Sequence, residues 1–480
     1  MAGLKNKFAY QFLISAIQVL LPLFTYPYIT RILGPEKLGI VNYADFVSQI
    51  FIAVAAFGIP LYAIRETAML RNDKRKRALL VKELSIIYSF LSFLFAIIFL
   101  LLMYKKLVQH TSLYLLAAAN ILISAVSFNW YIQGMEYFKL AAVRDLFIKA
   151  AMLLCFYLFV KNSNDYATFF GIFTAGLLAT AIVNTTAVIK ENSNTAGKAD
   201  IKKHLSPLFH FFLLSSAISI YEYFDTIILD HVTKNAEQVG YYTTMLKMIR
   251  IVTTTILTAG TVMLPRISFL VAQGNKDEVK RYLEKFLGFV MIAGVPVAVG
   301  IFIFAPEIIQ TIAGVKFSPA VPLLQVLGFL PLVIGISNVF CYQILVPCKQ
   351  EKKFLLTALA GCVTSIGLNF LLVPKFQALG SAWATLITEI VVLVIGLLLA
   401  NKMMQLQFPL KSTLQSIIIS ALFYPAALIC RSTFGSALLI FLAGALLCSF
   451  IYILAQVFLF KNNNVKEITG YLKNIINAAE

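Results

Sequence analysis

The sequence is poor in charged residues. Lys, Arg, Asp and Glu together make up 13% of its 480 residues, whereas about 25% is usual for soluble globular proteins. So few charges cannot cover the surface of a soluble protein of this length. A hydrophobic content of 60% also excludes a disordered chain, which would not stay solvated. The composition therefore predicts an integral membrane protein.

Patterns for metal or nucleotide binding are also missing. The chain has six cysteines and four histidines, and Cys341 and Cys348 have no histidine or second cysteine pair near them in the sequence. A zinc site needs such paired ligands. No Gly-rich loop of the GxxxxGK type is found, and no loop is long enough to form a catalytic domain. We therefore expect no metal, no cofactor and no enzymatic activity.

Long apolar segments dominate what is present. A helix needs about 20 apolar residues to cross a bilayer, and fourteen such segments predict an all-α integral membrane protein. The first segment is too long for the core of a signal peptide, so we expect it to remain as the first helix. The predicted spans cover residues 9–30, 40–64, 83–103, 112–133, 143–160, 167–189, 205–230, 240–265, 285–305, 319–346, 354–373, 380–400, 412–430 and 434–460.

The formal net charge of +18 is a topology signal. If both termini are cytoplasmic, the inner segments hold 28 of the 40 Lys and Arg residues, the outer segments hold nine, and three lie within spans. Cytoplasmic loops of membrane proteins carry such an excess of Lys and Arg. The distribution predicts cytoplasmic termini and explains the net charge without a nucleic-acid partner.

An internal repeat is suggested by landmarks 201 positions apart. Residues 36–39 (EKLG) open the second span, and residues 237–240 (EQVG) open the eighth. At the same offset Arg65 corresponds to Arg266, and Glu83 to Glu284. Parallel repeats of this kind occur in transporters. We predict two six-helix lobes, residues 1–200 and 201–405, followed by two extra helices and a cytoplasmic tail in residues 406–480.

Four charged residues lie within the seventh and eighth spans. Glu222 and Asp225 are three residues apart on one helix, and Lys247 and Arg250 are three apart on the next. A Lys or Arg at the centre of a spanning helix costs about 2.5–3.5 kcal/mol. Either the two pairs neutralise each other across the hairpin, or they line a cavity. In a cavity the cations would meet an anionic substrate and the carboxylates would carry a proton.

Three further charges lie inside predicted spans. Lys149, in the fifth span, either extends its amine to the membrane surface, pairs with Asp145, or lines a cavity. Glu389, in the twelfth span, and Asp45, in the second, are candidate cavity residues, with contacts between helices as the alternative. These interpretations stay open for each of the three residues.

Three sequence motifs resemble those of the O-antigen and polysaccharide flippases, a family within the multidrug/oligosaccharidyl-lipid/polysaccharide exporter superfamily. Residues 26–39 (YPYITRILGPEKLG) resemble the opening signature of that family, and residues 130–139 (WYIQGMEYFK) resemble its motif after the fourth helix. Residues 225–229 (DTIIL) with 239–242 (VGYY) are similar to its hairpin of helices 7 and 8. The matches cover the first half of the chain and the start of the second.

The resemblance implies two lobes around a central cavity and a substrate on an undecaprenyl pyrophosphate carrier. The oligosaccharide would move from the cytoplasmic to the outer leaflet of a bacterial inner membrane, with exchange of protons or other ions, and polysaccharide polymerase machinery is a candidate partner. Arg31 lies within a matched motif, and the other candidates follow from their position in spans. The substrate-binding candidates are Arg31, Lys149, Lys247 and Arg250. The ion-coupling candidates are Asp45, Glu222, Asp225 and Glu389.

Two other functions remain open from the sequence. One is a multidrug or toxic-compound cation antiporter of the same superfamily, although that group typically has twelve helices. The other is a membrane-embedded sugar transferase, although such enzymes usually carry larger polar loops.

Overall fold

The computed structural model describes the backbone of residues 2–192 and 199–459. Side chains are described from residue 22 onward within these ranges, except at residues 23, 214, 217, 218, 220, 221, 259, 261, 262, 265, 351 and 459. Most of the predicted cytoplasmic tail, residues 460–480, and Lys198 lie outside the described residues. The described residues contain helices and turns but no strand, which confirms the all-α prediction.

The helices follow one another closely along the chain. In the first half they are α1 Ala2–Ala56, α2 Ile59–Met69, α3 Lys74–Leu102, α4 Tyr104–Gln109, α5 Thr111–Ala125, α6 Asn129–Gly134, α7 Phe138–Phe159, α8 Tyr166–Asn192, α9 Lys202–Thr233 and α10 Ala236–Ala272. In the second half they are α11 Lys276–Ile308, α12 Val321–Leu327, α13 Leu330–Cys341, α14 Glu351–Asn401, α15 Leu410–Ala421, α16 Phe423–Thr433 and α17 Ala437–Leu454.

Several predicted spans differ from straight single helices. The first two spans are joined in α1 with a backbone break at Gly34, and the eleventh and twelfth are joined in α14 with a break at Gln377. The second span bends where Gly and Pro favour it, because Gly58 has a φ of 76° and Pro60 is in the first turn of α2. Positive φ is accessible to glycine without strain. The fourth span is interrupted between α5 and α6, where Phe128 also has a positive φ.

Nine helical segments of the described chain are long and apolar enough to cross a membrane. Ten of the fourteen predicted spans lie wholly or mostly within these segments, two of them in α14, whereas only residues 24–30 of the first predicted span do. The remaining three predicted spans correspond to α7, α9 and α10, which carry five of the eight candidate site residues. The total of fourteen therefore stays a prediction, while the multi-pass membrane fold is established.

The chain divides into two compact units, residues 1–240 and residues 241–480. In the first unit α1 packs against α3, α5, α7 and α9, while α2 packs against α6 and α9. In the second unit α11 packs against α12, α13, α15, α16 and α17, and α13 packs against α14. The predicted lobe boundary at residue 200 remains a prediction about the repeat.

A reciprocal glycine contact agrees with the internal repeat. A methyl group built on Gly39 would lie 1.7 Å from the carbonyl oxygen of Ala236, and one built on Gly240 would lie 1.9 Å from that of Pro35. Pro35 and Ala236 are separated by the same 201 positions as Gly39 and Gly240. All four residues belong to the first unit. Equivalent positions of the repeat therefore pack against each other with no room for a Cβ atom.

Candidate functional site

The candidate residues are spread over both units. In the first unit Arg31 is exposed, Asp45 and Lys149 are half-buried, Glu222 is exposed and Asp225 is buried. In the second unit Lys247, Arg250 and Glu389 are half-buried. Lys149 is the one of the eight with no hydrogen bond or ion pair to a described residue, and its charged neighbours are Asp145 and Arg144. The predicted pairing of Glu222 and Asp225 with Lys247 and Arg250 stays a prediction.

Lys149 makes no hydrogen bond or ion pair with any residue that the structure describes. Asp145, its nearest candidate partner in the sequence, is bound by Arg144 instead. Arg144 donates from Nε and Nη2 to Asp145 Oδ1 at 2.9 and 2.7 Å. The Lys149–Asp145 pair considered from the sequence is therefore not formed, since a neighbouring guanidinium binds that carboxylate.

Arg144 is itself held by a polar network that supports the break between α5 and α6. It donates from Nη1 to Asn184 Oδ1 on α8. Asn184 donates from Nδ2 to the carbonyl of Ser127 at 2.6 Å and to Asn129 Oδ1 at 3.0 Å. A backbone break within a membrane requires such side-chain partners for its polar groups. The network fixes Arg144 and Asp145 beside Lys149 on α7.

Asp45 is held by its own helix. Gln49 donates from Nε2 to Asp45 Oδ1 at 3.3 Å, and Ser48 donates its hydroxyl to the Asp45 carbonyl at 2.7 Å. These contacts are local, one helical turn apart. They leave the predicted ion-coupling role of Asp45 as a proposal.

Residues 26–39, the first motif, pack α1 against the end of α7. The Tyr28 hydroxyl donates to the Val160 carbonyl at 2.8 Å, and the rings of Tyr28 and Tyr157 lie 4.3 Å apart between centroids. Arg31 lies one turn further along the chain and is exposed. The packing of Tyr28 against the end of α7 thus accounts for part of the first motif.

Residues 130–139, the second motif, form a clamp around a single carboxylate. Tyr131 and Tyr137 each donate a hydroxyl to Glu191 at 2.6 Å. The buried guanidinium of Arg77 lies 3.7 Å from the same carboxylate. Arg71 donates to the Gly134 carbonyl at 2.9 Å. The motif therefore ties α6 and the start of α7 to α3 and the end of α8.

The buried carboxylate of Glu83 joins the start of α9 to α2 and α3. Glu83 accepts from His204 Nε2 at 2.8 Å, from Lys203 Nζ at 2.9 Å and from the backbone N–H of Asp200 at 2.8 Å. His204 Nδ1 lies 2.7 Å from the Tyr62 hydroxyl. Because a carboxylate only accepts hydrogen bonds, Nε2 carries a proton here. Sequence reasoning missed this cluster, in which Glu83 was only a landmark of the repeat.

A third polar cluster lies at the predicted outer ends of the spans. Lys106 forms an ion pair with Asp230, and its ammonium lies 3.7 Å from the centre of the Tyr43 ring. His110 Nδ1 lies 3.0 Å from the hydroxyl of Tyr166. Burial lowers the pKa of His110, and the nearby cations lower it further. His110 is therefore neutral at neutral pH.

In the part of the chain that the structure describes, no group of three or more His, Cys, Asp or Glu side chains is placed to hold a metal ion.

A family of polysaccharide transporters is defined by this fold and these motifs. The family model described as "Polysaccharide biosynthesis protein" matches residues 4–271, and the chain belongs to that family. It is 26% identical over 399 residues to a protein of Escherichia coli (strain K12) named "Putative O-antigen transporter", covering 81% of this chain and 95% of the relative. A protein of the same name from Shigella dysenteriae is 25% identical over 407 residues, covering 81% and 98%.

Solved structures show the same fold. The chain is similar to the lipid II flippase MurJ in an inward closed conformation, with a TM-score of 0.72 at 16% identity, covering 95% of this chain and 99% of that one. An inward-facing multidrug resistance transporter of the MATE family has a TM-score of 0.63 at 13% identity, covering 81% and 94%. The chain thus shares the all-helical fold of these two membrane proteins.

Proposed function

We propose that the protein is a flippase for lipid-linked oligosaccharide. It moves an undecaprenyl-pyrophosphate-linked glycan from the cytoplasmic to the outer leaflet of a bacterial inner membrane by alternating access, and proton or other ion exchange drives the movement. Both termini are cytoplasmic. Family membership supports the substrate class, since two relatives are named as O-antigen transporters.

The observation that carries the proposal is the lone cation at Lys149. An amine within a spanning helix is costly unless a counter-charge or water accompanies it. The obvious local carboxylate, Asp145, is already bound by Arg144. A pyrophosphate brings about two negative charges and would supply the direct ion pair that Asp145, bound by Arg144, does not make with Lys149. The lipid tail can remain in hydrocarbon while the polar glycan crosses through a hydrated cavity.

The other predicted residues extend the same scheme. Cations would hold the pyrophosphate along its path, and carboxylates would exchange ions when the cavity changes sides. The additional cations are Arg31, Lys247 and Arg250. The proposed ion-coupling carboxylates are Asp45, Glu222, Asp225 and Glu389.

The two alternatives fit less well. Lys149, which makes no ion pair with a described residue, suits an anionic substrate better than a cationic drug. A membrane-embedded transferase would be expected to carry larger polar loops for its acceptor. Curated relatives are named as transporters, which favours transport over catalysis.

The test is the leaflet distribution of lipid-linked glycan in cells that depend on this protein. We expect Lys149→Gln to accumulate the glycan lipid on the cytoplasmic leaflet, with at least a tenfold loss of export. Lys149→Arg should retain part of the activity because it keeps the charge. Lys105→Gln, an exposed cation at the predicted outer surface, is the control. Wild-type export by Lys149→Gln in an inserted protein would remove Lys149 from the substrate site.

A further inference from the structure

Exposed residues recur along one face of α3. They follow one another at intervals of seven, four, seven and four residues, which places them on one stripe of a helix with 3.6 residues per turn. The stripe contains Arg75, Lys82, Ile86, Phe93 and Ile97, all exposed.

The apolar part of this stripe is suited to lipid. Phe93 is 61% exposed, and Phe90, at the edge of the stripe, is 67% exposed. Helices that dock on each other in membranes use small residues or polar contacts. In the second unit α17 does so, with Gly444 against Phe304 of α11, and α16 does so through Arg431 bound to Glu307. At membrane depth the stripe has no glycine, and Ser89 is its one exposed polar residue; its other exposed side chains, Ile86, Phe93 and Ile97, are large and apolar and suit acyl chains.

The basic end of the stripe lies at the level of lipid headgroups. Lys82 directly precedes the predicted start of the third span, and Arg75 is seven residues earlier, or about 10 Å along the helix axis. Neither side chain makes a hydrogen bond or ion pair with the residues that the structure describes. The carboxylate of Asp73, the N-cap of α3, accepts from the backbone N–H of Lys76 and lies 3.3 Å from the Lys76 ammonium, so it leaves the side chains of Arg75 and Lys82 available.

The corresponding helix of the repeat keeps only one of the two cations. The position 201 residues after Arg75 is Lys276, which is exposed, but the position 201 residues after Lys82 is Leu283, which is fully buried. The first turn of α11 also contains Asp277 and Glu278. Helices α12, α13, α15, α16 and α17 all pack around α11. The basic, lipid-facing stripe is therefore a property of α3 and not of the repeated unit.

We propose that the α3 stripe binds an anionic phospholipid of the inner leaflet. Its headgroup phosphate contacts Arg75 and Lys82, and its acyl chains lie along Ile86, Phe90 and Phe93. This site is separate from the substrate site, and its existence does not depend on flippase activity.

The test is native mass spectrometry of the full chain released from bilayers of phosphatidylglycerol and phosphatidylcholine with identical acyl chains. We expect the wild type to retain phosphatidylglycerol in preference. The double variant Arg75→Gln/Lys82→Gln should bind it roughly 20-fold more weakly, since each cation near an anionic membrane contributes about fivefold. The control Lys276→Gln/Arg281→Gln removes two exposed cations from α11 and should retain the preference.

Three results would overturn the proposal. The first is unchanged phosphatidylglycerol retention by the Arg75→Gln/Lys82→Gln protein. The second is retention of an added polyprenyl pyrophosphate in place of phosphatidylglycerol, which would assign the stripe to the substrate. The third is efficient cross-linking of Phe93→Cys in cells to another protein or to a second copy, which would make the stripe a helix-docking surface.

Discussion

At the scale of single residues, the half-buried Glu191 and the buried Glu83 each accept from several donors. Glu191 accepts two tyrosine hydroxyls beside a buried arginine, and Glu83 accepts from a histidine, a lysine and a backbone amide. Removing the charge at such a site leaves donors without an adequate acceptor, which costs about 1–3 kcal/mol per buried group. These two residues are therefore expected to matter for stability more than for transport itself.

We expect Glu191→Gln to lower the unfolding temperature of the purified protein by several degrees. The amide keeps one acceptor oxygen but loses the negative charge that faces Arg77. Its NH2 group would face a tyrosine hydroxyl that in the wild type donates a hydrogen bond to Glu191. Thermal unfolding in detergent measures the effect. Glu237→Gln, at a position in the first turn of α10, is the control and should change the temperature little. Equal unfolding temperatures for both variants would show that the clamp is energetically unimportant.

Residue-level chemistry was the least predictable part of the molecule. Arg144 and Asp145 are adjacent in sequence, whereas helical spacing favours partners three or four residues apart, so the pattern suggested Asp145 and Lys149. Glu83 and His204 are 121 residues apart, and no local pattern connects them. Asn184, which supports the α5–α6 break, lies in a long and largely apolar helix. Its hydrogen-bond partners lie outside that helix and depend on how the helices pack.

At the scale of elements, helix positions were predictable and helix interruptions only partly. Apolar runs located the spans because every turn of a lipid-facing helix must be apolar. The bend at Gly58 was predictable because Gly and Pro specify it. The interruptions at Phe128 and Gln377 were missed, since neither residue type favours a positive φ. Tertiary contacts of Asn184 with Ser127 and Asn129 support the interruption at Phe128.

The reciprocal contact of Gly39 with Gly240 gives a prediction about helix packing. Alanine normally stabilises a helix interior relative to glycine by about 0.5–1 kcal/mol. At Gly39 and at Gly240 the added methyl would instead collide with a backbone carbonyl, so each helix would have to shift. We expect Gly39→Ala and Gly240→Ala to lower the unfolding temperature.

Gly367→Ala provides the matched control, because a methyl group there meets nothing within 4 Å. It should leave the unfolding temperature unchanged or slightly higher. If all three alanine variants unfold at the same temperature, the close approach of α1 and α10 has no energetic consequence. A larger residue such as Val at position 39 should increase the loss further.

At the scale of the whole molecule, the charge distribution predicts the orientation. Asn235, between α9 and α10, should be outside, and Lys276, at the start of α11, should be inside. In intact cells, Asn235→Cys should react with an impermeant maleimide and Lys276→Cys should react only after permeabilisation. The native cysteines, all free in the structure, are replaced by Ser beforehand. Reaction at Lys276→Cys but not at Asn235→Cys would reverse the predicted topology.

The three charges within one and a half turns of α7 also have a consequence for biogenesis. A translocon admits a segment according to its summed transfer free energy, to which a lysine at the helix centre such as Lys149 adds about 2.5–3.5 kcal/mol, while Arg144 and Asp145, nearer the start of α7, add less. Arg144 and Asp145 bind each other and Asn184 of α8, so their cost falls once α8 is present. Lys149 gains no such relief. We therefore expect α7 to enter the bilayer late, together with α8, and the lone lysine to hold back the yield of inserted chains.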